Sequence, residues 1–413
     1  MLSLLATRRF GPLFVTQLLG AFNDNLFRTA IIFIVAYDIA AADPAQAAFL
    51  ASLSAGLFIL PYLLLSGVAG SLADAHDKAG IARLVKQMEI GFMALGWLAL
   101  AIGWLPLALI VVFLMGCHST LFGPVKYAIL PQHLKPAELI AGTGMVEAAT
   151  FVAILLGQVA GGLLATAAVG PVATALAGIG WLASRAIPPA PPECAVPVEW
   201  NPWRSGRAAL ALAFGDHRLW RATLAISWFW ALGAIYTSQF VPLARNVMGG
   251  TEAVATFFLA VFSVGVAAGS LAVARVLRGR LSTRVCVWAG LAMALAGVDL
   301  YFAIRGAGSA PKDVAGLLVT LAGWRVVADL FVLAAAGGVF SVPLYAVLQT
   351  AGEAGSRASA IAANNIINSL FQVSAVLAVG AAVGAGAGAS LVLMLSGLTV
   401  LILLPAIRKI DRY

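Results

Sequence analysis

The sequence predicts an all-α polytopic membrane protein with twelve transmembrane helices in two pseudo-symmetric six-helix bundles. Composition is the first reason. Of the 413 residues, 62% are hydrophobic and 10% charged, and the mean hydropathy is +0.98, which is more apolar surface than a soluble domain of this length needs. Second, apolar runs able to cross a hydrocarbon layer of roughly 30 Å recur along the whole chain, and backbone crossing such a layer must satisfy its own hydrogen bonds. Third, short motifs of the first half return at equivalent places in the second.

The spans are expected at 10–36, 47–73, 80–102, 106–126, 138–165, 168–187, 219–244, 251–274, 285–304, 324–348, 355–381 and 386–407. Arg8 and Arg9 precede a first span that is too long and too polar in its middle for a cleavable signal peptide, and it lacks a small-residue cleavage site. Lys78, Arg83 and Lys86 are assigned to the loop between spans 2 and 3, and Lys126 and Lys135 to the 4–5 connection. Arg185, Arg204, Arg207, Arg218 and Arg221 fall in the centre of the chain. Arg275, Arg278, Arg280 and Arg284 lie between spans 8 and 9, and Arg357, Arg408, Lys409 and Arg412 complete this face. The opposite face has only Arg245, Arg305 and Lys312. The asymmetry puts both termini in the cytoplasm, and it explains a pI near 9.7 without nucleic acid as a partner.

Residues 188–217 break the pattern. Pro188, Pro189, Pro191 and Pro192 cannot continue a helix. Trp200, Trp203 and the apolar run Ala208–Phe214 suggest a short helix lying on the cytoplasmic surface, and Asp313–Trp324 suggests another interfacial piece. The expected domains are therefore an N-terminal bundle over 1–187, a cytoplasmic linker over 188–217 and a C-terminal bundle over 218–413.

The halves carry matching marks. Gly70-Ser71-Leu72-Ala73-Asp74 at the end of span 2 returns as Gly269-Ser270-Leu271-Ala272-Val273 at the end of span 8. Phe122-Gly123-Pro124-Val125-Lys126-Tyr127-Ala128-Ile129-Leu130 at the end of span 4 returns as Phe340 to Leu348, with Tyr345-Ala346 in register. Duplicated halves joined by a cytoplasmic linker are the design of major facilitator transporters, whose substrate sites lie near the midplane.

The first span holds the most telling polar residues. Gln17, Gly20, Asp24 and Arg28 share one helix face, and Asn25 adjoins them. A carboxylate at the depth of Asp24 costs at least about 2.5 kcal/mol unless it faces protein or water. Asp24 and Arg28 stand in the favourable order for an intrahelical pair. One reading is a self-neutralising pair that helps helices pack; the other is a face lining a substrate or proton path. Gly70, Asp74, Asp77 and Lys78 resemble the major facilitator loop motif, in which a small residue admits a close helix and Asp74 meets a helix N-terminus or a cation, latching the cytoplasmic side.

Other candidates carry a structural and a functional reading side by side. Glu147, buried among apolar residues of span 5, has Lys126 as a candidate partner. Asn364, Asn368 and Gln372 make a polar stripe on span 11, with Asn365 beside it, and such amides bind a ligand or join helices. Gly157, Gly161 and Gly162 read as a close-packing surface. Glu89, Asp299 and the Arg325–Asp329 pair read as structural or interfacial. Cys117, Cys194 and Cys286 are scattered and the histidines lack metal-ligand spacing, so no disulfide framework and no metal site are expected. No nucleotide loop or catalytic triad is present, and Gly384 to Gly388 is a turn. The chain is expected to be no enzyme, to have no catalytic residues and to need no cofactor.

Gln17 to Asn25, with Gly20-Ala21-Phe22-Asn23-Asp24-Asn25 at its core, and Phe122 to Leu130 resemble the lysophospholipid transporter family of the major facilitator superfamily. Gly144-Met145-Val146-Glu147-Ala148, Ala153 to Gly157, and Val342 to Gln349 extend the resemblance over most of the chain. It implies transfer of lysophospholipids across the bacterial inner membrane for reacylation by a cytoplasmic acyltransferase, here expected on a separate chain. It also implies that Asp24, Lys126 and Glu147 occupy the family's polar positions. One departure stands out: the family carries an arginine seven residues after a Phe-Trp pair, where Phe229-Trp230 is followed here by Thr237. That phosphate-binding cation is missing, or Arg28 supplies it.

The expected function is alternating-access transport of lysophospholipids such as lysophosphatidylethanolamine, by a monomer in the bilayer. The alternatives are a proton-coupled exporter of small amphiphiles, with Asp24 or Glu147 carrying the proton, and a non-transporting anchor whose linker docks an acyltransferase.

Overall fold

A computed structural model describes residues 2–35, 44–308, 313–352 and 355–412; Lys312 lies outside the described residues. The long helices follow the predicted spans closely. They are α1 Gly11–Ile34, α2 Pro44–Ala75, α3 Lys78–Ala101, α4 Leu105–Ala128, α5 Pro136–Leu163 and α6 Thr166–Arg185. The linker helix α7 Pro202–Gly215 comes next. The second half holds α8 His217–Pro242, α9 Glu252–Leu277, α10 Arg284–Ala307, α11 Leu321–Thr350 and α12 Arg357–Gly384, then α13 Ala389–Leu398 and α14 Val400–Ile407 as one interrupted span. Eleven helical segments among the described residues are long and apolar enough to cross a membrane; α1, at 24 residues, is a further long helix and carries the polar cluster.

Local chemistry sets the boundaries. Asp77 ends the α2–α3 turn by accepting from Ala79 N and Gly80 N, a side-chain cap on the first free amides of α3. Glu138 reaches back to the Lys135 amide at 2.9 Å and holds Arg9 through two guanidinium hydrogen bonds, which raises the Arg9 pKa. Asn201 caps α7 through Trp203 N and Arg204 N, with Pro202 in the first turn, where its missing N–H costs nothing. Arg278 takes a left-handed conformation, φ 50°, to stop α9. The interfacial piece expected over Asp313–Trp324 divides: Val314–Leu318 is one short helical turn, and Leu321 onward belongs to α11.

The chain forms two compact units. The first comprises Met1–Gly142, Val152–Asp216 and Leu348–Ile366; the second comprises Thr143–Phe151, His217–Val347 and Ile367–Tyr413. In the first, Phe27, Ile31, Met93, Val111, Val112, Met115 and Ala173 are core residues. α5 lies against α1 so closely that a Cβ on Gly157 would come within 2.5 Å of the Phe22 carbonyl oxygen, the small-residue packing expected of helices in lipid. In the second, Tyr236, Phe240, Phe258 and Phe262 form an aromatic cluster between α8 and α9.

Candidate functional site

Asp24 lies near the middle of α1, half-buried. Ser119 of α4 donates to its Oδ2 at 2.5 Å, while Oδ1 is enclosed without a hydrogen-bond partner. Arg28 does not form the intrahelical ion pair its spacing suggests: the described salt bridges do not join them, and its guanidinium instead lies 4.6 Å from the Phe58 ring centre. Neighbouring helices α4 and α2 thus take up the two side chains separately. Gln17 and Asn25 are buried, and Asn25 turns its amide back onto the Ala21 carbonyl.

Beside Asp24 is a buried charged group that the sequence reading misassigned. Lys78, Arg83 and Lys86 are residues of α3, not of a loop, and Lys86 is fully buried. Its ammonium donates to Glu89 Oε2 at 2.5 Å. His118 Nε2 lies 3.1 Å from that oxygen as an electrostatic contact rather than an aligned hydrogen bond. Asn23 donates to Glu89 Oε1 at 2.9 Å and to the Ala173 carbonyl. Lys86 also faces the Phe122 ring, 5.4 Å away. Space for it comes from Gly20, where a Cβ would stand 2.2 Å from Nζ. The signal available was Lys86-Glu89 at i, i+3, opposite a glycine on the polar face of α1.

A second polar assembly in the same unit surrounds Asp74. Its carboxylate accepts from Ala358 N and Ser359 N, each at 2.9 Å, and from Ser359 Oγ at 2.7 Å. These are first-turn groups of α12, which hold anions well. Gly70, one turn earlier, allows the approach: a Cβ there would meet Ala362 Cβ at 2.6 Å. Asp77 accepts from Ala190 N at 2.7 Å, and Lys78 N donates to Ala190 O at 3.0 Å.

The remaining candidates are spread out. Lys126, half-buried, sits over the Tyr127 ring at 4.9 Å in the first unit. Glu147 is fully buried in the second. Asn364 is fully buried in the first unit, and neither its Nδ2 nor its Oδ1 has a hydrogen-bond partner. Asn368, in the second unit, accepts from Ser227 Oγ at 2.7 Å, and Gln372 is half-buried one turn on. Thr237 is exposed and bonded to carbonyls of its own helix. Sequence reasoning missed the aromatic group of the second unit: Phe151 stacks on Trp230 at 5.5 Å, and Trp230 donates to Tyr345 Oη at 2.7 Å. The expected Arg325–Asp329 pair is replaced by Arg325–Asp299 at 2.5 Å, because α10 brings a carboxylate to the guanidinium.

Against this geometry, residues 13–376 match the Major Facilitator Superfamily. The chain belongs to that superfamily. This superfamily member is 28% identical to the lysophospholipid transporter LplT of Cronobacter sakazakii over 377 residues, covering 88% of this chain and 85% of the relative. The LplT protein of Serratia proteamaculans is also 28% identical, over 380 residues with the same coverage. Among solved structures, the human organic anion transporter MFSD10 (TETRAN) superposes with a TM-score of 0.81 at 15% identity, covering 97% of this chain and 99% of that one. A structure of the Escherichia coli fucose:proton symporter FucP gives 0.73 at 14% identity, covering 97% and 98%. These structures establish the major facilitator fold, and the helices of this member make it a multi-pass membrane protein.

Proposed function

We propose that this major facilitator protein is a secondary transporter that moves lysophospholipids across the bacterial inner membrane by alternating access. The similarity to LplT proteins supports the substrate class. The observation that carries the site is Asp24: one carboxylate oxygen is held by Ser119 and the other lacks a donor, an arrangement that an ammonium headgroup completes. Arg28, free of an ion pair with Asp24, or Lys126 meets the phosphate, with Gln17, Asn25, Glu147, Thr237, Asn364, Asn368 and Gln372 as further polar contacts. Gly70, Asp74, Asp77 and Lys78 serve as the gate. Both termini lie in the cytoplasm, the bundles are 1–187 and 218–413 around the 188–217 linker, and the protein works as a monomer beside a separate acyltransferase.

Uptake of labelled lysophosphatidylethanolamine by spheroplasts tests this. Asp24→Ala should abolish most of the transport at unchanged expression; undiminished uptake removes Asp24 from the mechanism. A second reading, proton-coupled export of small amphiphiles, draws support from the buried Glu89–His118 contact beside Asp24. Collapse of the pH gradient stops flux under that reading and leaves a lysolipid flippase running.

A further inference from the structure

The end of the second unit at which α8 and α10 begin and α14 stops is basic. Two adjoining cavities of about 370 and 340 Å³ share Arg284 and Asp411 in their walls. Arg218 lines the first cavity, and Trp288 and Arg408 line the second. Among the described residues that line them Asp411 is the only carboxylate, and it is already occupied: it accepts from Thr283 N and Thr283 Oγ1 at 3.0 and 2.9 Å and from Ser282 Oγ at 2.8 Å. It closes the start of α10, and none of the described salt bridges joins it to Arg284 or Arg408. Arg284 and Arg408 beside one engaged acid leave the second cavity net positive, and planar guanidiniums suit the oxygens of a phosphate.

The wall then turns apolar. Val287 and Trp288 line the second cavity directly after the arginines. Trp288, one turn beyond Arg284, is 72% exposed, and Leu295 and Phe302 continue its face at seven-residue steps with 71% and 58% exposure. α10 has the length and hydropathy of a membrane span, so this stripe meets hydrocarbon and Trp288 stands at headgroup depth. A free phosphate uses only the arginines, whereas a glycerophospholipid uses both parts of the wall. We propose that the Arg284–Trp288–Arg408 groove binds the phosphodiester headgroup of an anionic glycerophospholipid as a resident lipid, apart from the transport residues named above.

The test uses the purified full chain in phosphatidylcholine–detergent micelles, with melting temperature followed as phosphatidylglycerol is added. Phosphatidylglycerol should raise the melting temperature saturably. Each cation near a headgroup is worth about fivefold in affinity, so Arg408→Gln should raise the half-saturating lipid fraction about fivefold and R284Q/R408Q about 25-fold. Trp288→Ala should weaken the lipid effect, and millimolar inorganic phosphate should not reproduce it. No stabilisation by phosphatidylglycerol, or an unchanged half-saturation in Arg408→Gln, overturns the proposal. Equal stabilisation by inorganic phosphate that Trp288→Ala leaves untouched makes this a small-anion site and also overturns it. Arg408 is exposed, so its single variant keeps the test open should the double variant not fold.

Discussion

Lys86→Met should be among the most damaging single substitutions in the first unit. The side chains of Lys86 and Glu89 are 0% and 1% exposed, so removing the ammonium leaves a carboxylate sealed from water with only Asn23 and His118 for company. Breaking a buried pair in this way costs about 3–5 kcal/mol. Glu89→Gln strands the ammonium instead, although the Phe122 ring compensates by up to about 2 kcal/mol, placing this variant at the lower end. In K86M/E89Q both charges are gone and Asn23 still finds a carbonyl acceptor, so the loss should fall below about 2 kcal/mol, since replacing a whole buried pair is often close to neutral. Gly20→Ala should cost about 1–3 kcal/mol through its clash with Nζ and less in K86M/E89Q, where the shorter methionine vacates that position. Equilibrium unfolding in detergent–SDS mixtures measures all five variants. A double variant at least as unstable as the worse single would show that the pair is not what holds α1, α3 and α4 together.

Asp74→Ala removes the acceptor for three donors at the start of α12, a capping loss of about 1–2 kcal/mol. A cysteine placed at the fully buried Ala362 in a cysteine-free background should then label faster with maleimide, and an unchanged rate contradicts the contact's role. Burial pushes the Asp411 carboxyl upward, but the donors from Thr283 and Ser282 outweigh it and leave its pKa lowered. A carboxyl depressed in the folded state contributes stability above its ordinary value near 4 and loses it as pH falls through the lowered one. Protease sensitivity of the 408–412 tail should therefore rise below about pH 4 in the native protein, and Asp411→Asn should be sensitive already at neutral pH.

The sequence makes the helices legible because bilayer length and positive loops are strong, local signals. α3 to α6 begin and end within a few residues of their expected spans, and Asn201 and Asp77 mark starts by chemistry visible in the chain. The Asp74 contact was readable as a class, a carboxylate seeking a helix N-terminus, but its partner was not, since Ser359 is far away in sequence. Lys86 failed for a different reason: a lysine eight residues after Lys78 looks like loop charge, and only the tertiary pairing of Gly20 and Glu89 makes its burial tolerable. Arg28 failed likewise, because helical spacing reports which side chains share a face and not which neighbour on another helix competes for them.

The segment following α6 is bound along its length. Ala190 exchanges bonds with Asp77 and Lys78, Gln132 and His133 reach Pro191 and Pro189, Glu199 N donates to Ser71, and Glu193 pairs with Arg357. At Gly67 the backbone of α7 touches α2 so closely that a Cβ would stand 2.2 Å from Gly206 N. This stretch is a splint, not a slack tether, and it belongs with the helices that precede it. Co-expressed fragments cut after Ile187 should accordingly copurify, because the splint, left on the second fragment, carries its bonds to Ser71, Asp77, Lys78, Gln132 and His133 across the break; fragments that separate would contradict the bracing.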